Sequence, residues 1–190
     1  MPQLTSHLTG AQWTANGPTT PAQRFFHQYV SAVDSKGYNT GSGLKFYSPT
    51  VTFHNQNGAV YHGGDEMWAW MKKLFGVFSK IQHDWIHFVE IGLDDEGTSQ
   101  IYLQGVRNLW IVGDDVGGEP SVSVPVTFIA VVGKSDGTRG LEETPEGLCF
   151  REVWLYWDTA LLFPFLEKDA VVFKTENVVR AGEVDVCLSG

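Results

Sequence analysis

The chain has 190 residues, with 13 Lys and Arg against 22 Asp and Glu, a net charge of -9 at pH 7. That length suits one domain whose core needs no disulfide or metal staple, and the acidic balance argues against nucleic acid or an anionic membrane surface as the main partner. Hydrophobic residues at 43% with 18% charged exclude long disorder, and the two cysteines, Cys149 and Cys187, suit a reducing compartment, with one disulfide left open.

The N-terminus, MPQLTSHLTGAQWTANGPTTP, has no basic n-region and no apolar h-region, so no signal peptide is expected, and no apolar run is long enough to span a membrane. Cytoplasmic location is the expectation. Residues 1–19 are polar, carry Gly and Pro, and read as an arm. Thr20-Pro21 is a helix start, with Thr20 as N-cap and Pro21 at the first helical position. Phe25, Phe26, Tyr29, Val30 and Val33 make an apolar stripe at helical spacing, and Gly37 should end the helix. A loop at 38–43 precedes Val51-Thr52-Phe53-His54, which reads as a strand. Asn57-Gly58 is a two-residue hairpin signal that folds Ala59–His62 back onto it. Gly63-Gly64-Asp65 opens a second helix with Met67, Trp68, Met71, Leu74, Phe75 and Phe78 on its apolar face.

Strands are expected at roughly 81–93, 99–112, 121–133 and 147–158. Asp94–Thr98 fits a three-residue hairpin loop with Gly97 in the left-handed position, which sets Asp94 against Thr98, His83 against Leu109, Trp85 against Arg107 and His87 against Gly105. His83, Trp85, His87, Val89 and Ile91 then share the core face with Ile101, Leu103, Arg107 and Leu109; a slip of one residue reverses the assignment. The polar stretch 134–146 reads as a loop and 181–190 as a C-terminal tail, leaving 20–180 as a single domain. Helices followed by a run of strands argue for an α+β fold: a cone-shaped, curved antiparallel sheet wrapped around two or three helices.

Four segments carry a resemblance. They are Val33-Asp34-Ser35-Lys36, the run Phe46–Phe53, Gln82-His83 after the second helix, and Glu152-Val153-Trp154-Leu155-Tyr156-Trp157-Asp158 followed by the apolar turn Leu161-Leu162-Phe163. From about Pro21 to Glu167 the chain resembles the nuclear-transport-factor-2-like superfamily, including SnoaL-like polyketide cyclases, ketosteroid isomerase and scytalone dehydratase. The resemblance implies a cystatin-like α+β barrel. It also implies active-site roles for Asp34 and His83, which match the aspartate and histidine of the scytalone dehydratase motifs. The tyrosine before that aspartate is Val33 here, and the family's second histidine has no clear counterpart; Gln104, Arg107 or Asn108 could lie near its place. The Glu152–Asp158 spacing resembles the last strand of the SnoaL-like cyclases.

The residues admit two readings each. Asp34 ends a helix, where the macrodipole disfavours an anion, so it is either exposed or held by a specific partner. His83 is a core histidine or an acid–base group. Arg107, on the expected inner face, needs a carboxylate such as Glu152 or Asp34, or a bound anion. Glu152 and Asp158 share the face of Trp154 and serve as an acid–base group, an ion-pair partner or a turn cap. Asp34, His83, Arg107 and Glu152 are therefore the catalytic candidates, with Tyr29, His54, Trp68, Trp85, Trp154 and Asp158 as substrate-binding candidates. The scattered histidines give no metal spacing, and neither a metal nor another cofactor is expected.

The reading is a cofactor-independent dehydratase, isomerase or cyclase, with an aromatic-walled closed pocket for a polycyclic or phenolic natural-product intermediate. A homo-oligomer, dimer or trimer, is compatible with it. A non-catalytic binding or dimerisation module of the same fold is favoured if Asp34 and His83 point to solvent or lie more than one water apart, or if no internal cavity on the order of 300 Å³ is present. An epoxide hydrolase would need Glu152 and Asp158 to flank Arg107.

Overall fold

The computed structural model describes residues 2–135, 144–162 and 164. Most of the loop expected at 134–146, the domain end and tail expected at 165–180 and 181–190, and with them Phe163 and Cys187, lie outside the described residues. The elements are β1 (Gln3–Thr9), α1 (Gly10–Asn16), α2 (Pro21–Asp34), β2 (Tyr47–Asn55), β3 (Val60–His62), α3 (Gly64–Leu74), β4 (Phe78–Gly92), β5 (Ser99–Ile111), β6 (Val122–Lys134) and β7 (Leu148–Trp157). They form an α+β fold in which one curled sheet runs in the order β1-β4-β5-β6-β7-β2-β3.

The sheet is mixed, which corrects the antiparallel expectation: β2 runs parallel to β7, with His54 beside Trp154. The segment read as an arm is also ordered. Residues 3–9 pair with the far edge of β4, and α1 follows under a capping box in which Thr9 and Gln12 satisfy each other's backbone donors. The second helix is shorter than expected and ends at Leu74, so Phe78 opens β4 instead.

Helix α2 starts as the sequence dictates. Thr20 Oγ1 accepts the Gln23 backbone N–H, and the Gln23 side chain accepts from the backbone N–H groups of Thr19 and Thr20. Thr20 also donates to Glu90 Oε2 at 2.6 Å, and Ser99 donates to Glu90 Oε1 at 3.2 Å. Glu90 is thus buried with its oxygens satisfied, and it ties the helix start to the β4–β5 hairpin. The inward stripe Phe25, Phe26, Tyr29 and Val33 fills the concave side of the sheet against Phe128 and Phe150, with rings edge-on or tilted at centroid distances of 4.8–6.0 Å. Helix α3 adds Met67, Trp68, Met71 and Leu74 from the other side.

One irregularity decides the site. The hairpin loop closes from Leu93 to Thr98, one residue longer than expected, and β4 carries a bulge between Trp85 and His87. Up to the bulge, Ile81, His83 and Trp85 face the helices; beyond it Phe88 and Glu90 do so. The expected inward placement of His87, Val89 and Ile91 is therefore corrected, because an extra residue inverts the alternation. His83 stands directly opposite Arg107, and Trp85 opposite Gly105. A Cβ at Gly105 would lie 2.8 Å from Trp85 Cε3, so the indole can lie there only over glycine.

Candidate active site

Asp34 is the last residue of α2, at the end that repels an anion. Its carboxylate is held by strand β4 instead. The His83 backbone N–H donates to Oδ2 at 3.3 Å, and His83 Nδ1 lies 2.5 Å from Oδ1. On the opposite edge of the imidazole, Arg107 Nε–H donates to His83 Nε2 at 2.8 Å. Arginine only donates, so Nε2 is the acceptor and the ring proton sits on Nδ1, donated to Asp34. A neutral imidazole thus bridges a carboxylate and a guanidinium.

The surroundings fix this chain of bonds. The Trp85 indole stacks on the imidazole, with centroids 5.3 Å apart and planes 5° from parallel. The guanidinium of Arg107 lies over the rings of Trp157 at 4.7 Å and Phe75 at 5.1 Å. Burial first, and then the Arg107 charge, hold the His83 pKa below its ordinary value. Burial likewise brings Arg107 down to about 10, which leaves it charged at neutral pH. Among the described residues, Arg107 Nη1, Tyr38 Oη and Trp68 Nε1 are buried without a hydrogen-bond partner.

A half-open cleft of about 430 Å³ reaches this triad between α1, α2 and β4. Trp13, His27 and Val30 line it together with Asp34, His83 and Trp85. The Asp34 side chain is 26% exposed and that of His83 only 3%. The cleft thus meets the carboxylate, while Arg107 lies on the inner side of the imidazole. It is more polar and more open than the closed aromatic pocket the sequence suggested.

Of the other candidates, Tyr29 packs in the core, where its hydroxyl accepts from Tyr47 at 2.7 Å and burial pushes its pKa up to about 12. Trp68 is also a core residue, against Tyr38 and Tyr47. Four placements are corrected. Glu152, His54 and Trp154 sit on the opposite face of the sheet, where His54 stacks on Trp154 at 5.3 Å and meets Glu152 at 3.1 Å. Glu152 therefore neither pairs with Arg107 nor joins the triad. Asp158 is exposed and caps the following turn by accepting from the Ala160 backbone N–H at 3.0 Å. With both carboxylates outside, the pair needed for an epoxide hydrolase does not form around Arg107.

Sequence reasoning missed Trp13 on α1, and it missed Tyr38, Phe75 and Trp157 around Arg107. The Thr9-x-x-Gln12 capping signature before Trp13 was the available signal for the first. Among the described residues, no group of three or more His, Cys, Asp or Glu is placed to hold a metal ion, and no helix is long and apolar enough to cross a membrane.

The lowered His83 pKa makes a stability prediction. The unfolded chain, with histidine near about 6.5, binds this proton more readily than the folded one. The contribution is full above that value and is lost as pH falls through the folded value. The melting temperature of the native chain minus that of His83→Gln should therefore narrow between about pH 8 and about pH 5. A constant difference would mean that His83 is not held neutral.

No protein-family model matches the chain, and no curated protein sequence matches it. Solved structures do. An uncharacterized protein with a cystatin-like fold from Caulobacter vibrioides superposes with a TM-score of 0.53 at 9% identity, over 74% of this chain and 91% of its own. A protein described as a SnoaL-like polyketide cyclase, from Shewanella putrefaciens, gives 0.53 at 15% identity, over 85% and 96%. The chain has the cystatin-like fold. The hexachlorocyclohexane dehydrochlorinase LinA-type3 from Novosphingobium barchaimii superposes with a TM-score of 0.54 at 9% identity, over 73% of this chain and 84% of its own.

Proposed function

We propose that the protein is a cofactor-independent acid–base enzyme that acts on a polycyclic or phenolic carbonyl compound, as a dehydratase, isomerase or cyclase. The observation that carries this reading is the unbroken run Asp34–His83–Arg107 beside a cleft of ligand size. Asp34 and His83 touch directly, which supports the catalytic reading over a mere binding module. The fold's use by proteins named as a cyclase and a dehydrochlorinase agrees with the proposal by analogy.

In this reading His83 Nε2 takes a proton from the carbon beside a carbonyl. The C–H electron pair becomes an enolate, and the imidazolium that forms is balanced by Asp34, which already accepts from Nδ1. Arg107 holds the developing oxyanion. The enolate then expels a β-hydroxyl as water, takes a proton back at another carbon, or attacks a second carbonyl. His83, now carrying the proton, is the acid in each case, giving it to the departing hydroxyl, to the carbon or to the new alkoxide. The buried, ring-walled setting strengthens each of these contacts.

The test uses the first step alone. A bicyclic aryl ketone such as 2-tetralone is incubated with the protein in D₂O, and exchange of its α-protons is followed by NMR. Exchange above the buffer rate, with an acid limb below the ordinary histidine pKa, is the expected result. Exchange identical in native chain and His83→Gln would sink the proposal.

A further inference from the structure

We infer that Arg107 and Tyr38 form a subsite for a ligand oxygen, a phenolate or enolate, and that its occupation frees Nε2 of His83. The second half of this inference rests on the acid–base reading; the first does not.

The argument begins with donors. Arg107 is 7% exposed and spends Nε–H on His83, while Nη1 is buried without a partner among the described residues. Tyr38, 3% exposed, follows Asp34 closely in chain, in the 3-10 turn Gly37–Asn39, and its hydroxyl is likewise unpartnered. The two approach from opposite elements and share a wall. The Tyr38 ring lies 6.1 Å from that of Phe75, over which the guanidinium sits at 5.1 Å. The Arg107 charge is also felt at the Tyr38 hydroxyl. Leaving such donors buried and unmet is unfavourable, because each has given up its water without gaining an acceptor. Guanidinium offers no acceptor, so the matching group is an acceptor, and its positive charge selects an oxygen that carries negative charge. The rings of Phe75 and Trp157, which lie 6.1 Å apart and both meet the guanidinium, suit an aromatic or enolic bearer of that oxygen.

The second half follows from the same guanidinium. The lone pair that His83 needs as a base is already filled by Arg107 Nε–H. An anionic oxygen at Nη1 is a stronger partner than a neutral imidazole nitrogen, and it draws the guanidinium toward itself. The base is thus exposed only when the oxygen that will carry the charge is in place.

The probe is 4-nitrophenol, titrated into the full chain and read by the nitrophenolate absorption band. Bound nitrophenol should ionise at a lower pH than free nitrophenol. Tyr38→Phe, which removes one hydroxyl and keeps the ring packing, should weaken binding roughly tenfold or more, as expected for a hydrogen bond to a charged oxygen. Arg107→Met should abolish the lowered ionisation. Absence of binding, unchanged ionisation, or equal affinity in Tyr38→Phe would overturn the subsite. In ¹⁵N-histidine-labelled protein, the His83 Nε2 resonance should shift when nitrophenolate binds; an unmoved resonance would overturn the unmasking. Tyr38-dependent binding without ketone exchange would leave the subsite standing and sink the acid–base reading, and the reverse outcome would do the opposite.

Discussion

Replacing His83 by Ala is expected to lower turnover in the ketone-exchange assay by roughly 10²–10⁴-fold, the range for one positioned acid–base group. His83→Ala also strips Arg107 Nε of its acceptor, so a fall in activity could come from a disturbed fold. His83→Gln separates the two effects. Its amide oxygen can take the Arg107 hydrogen bond, but an amide has no group that titrates near neutral pH and so cannot serve as general acid or base. His83→Gln should therefore melt closer to the native chain than His83→Ala does, while losing activity equally. Asp34→Asn keeps an oxygen that accepts from Nδ1–H and removes the charge that balances the imidazolium, so its loss should fall at the lower end of the same range. If Asp34 acts only through His83, as proposed, the double variant Asp34→Asn/His83→Gln should be no slower than His83→Gln alone. Multiplying losses would mean that Asp34 meets the substrate itself. Full activity in folded His83→Gln and Asp34→Asn would shift attention from the triad altogether.

The parts of this arrangement that were legible in sequence are those set by neighbours in sequence. Thr20-Pro21 with Gln23 at the third position specifies the start of α2 through a local capping box, and Asn57-Gly58 specifies the β2–β3 turn. Asp34 and His83 entered through short motifs shared with a known family, and Arg107 through its position among aliphatic residues. The rest depends on distant pairing. The parallel contact of β2 with β7 joins residues about a hundred positions apart, with no local mark in either strand. The bulge at Trp85–His87 lies in a run, Trp85-Ile86-His87-Phe88, with bulk on both faces, so period-two reasoning had nothing to count. Strand β7 fails in the same way. Val153, Leu155 and Trp157 point inward, but Trp154 and Tyr156 between them are as apolar, and that flat pattern carried Glu152 and Trp154 to the wrong face. Gly105 was the one residue that marked the crossing point, since a strand-interior glycine signals close approach.

The second large effect should come from Phe26, which touches no part of the triad. Its ring is fully buried and meets Trp85 edge-on at 5.2 Å, Phe128 at 5.6 Å, and Phe88 and Tyr29 at 6.0 Å. Phe26→Ala removes the ring from the centre of the α2–sheet contact and should cost about 3–5 kcal/mol. For a chain of this size each kcal/mol moves the melting temperature by about 2–4 °C, so a drop of roughly 6–20 °C is expected in thermal unfolding. The site should feel it as well. Trp85 stands between Phe26 and the imidazole of His83, and the cavity left by Phe26 gives the indole room to leave its stack. Phe25→Ala is the control. Phe25 is equally buried, but it packs on Phe150 at 4.8 Å and Phe46 at 6.1 Å, away from Trp85. Both variants should melt lower by similar amounts, and only Phe26→Ala should slow exchange well below its melting range. Equal slowing in both would mean that the activity loss follows stability alone. No slowing in either would mean that His83 is held by its hydrogen bonds to Asp34 and Arg107 without help from the ring stacked on it.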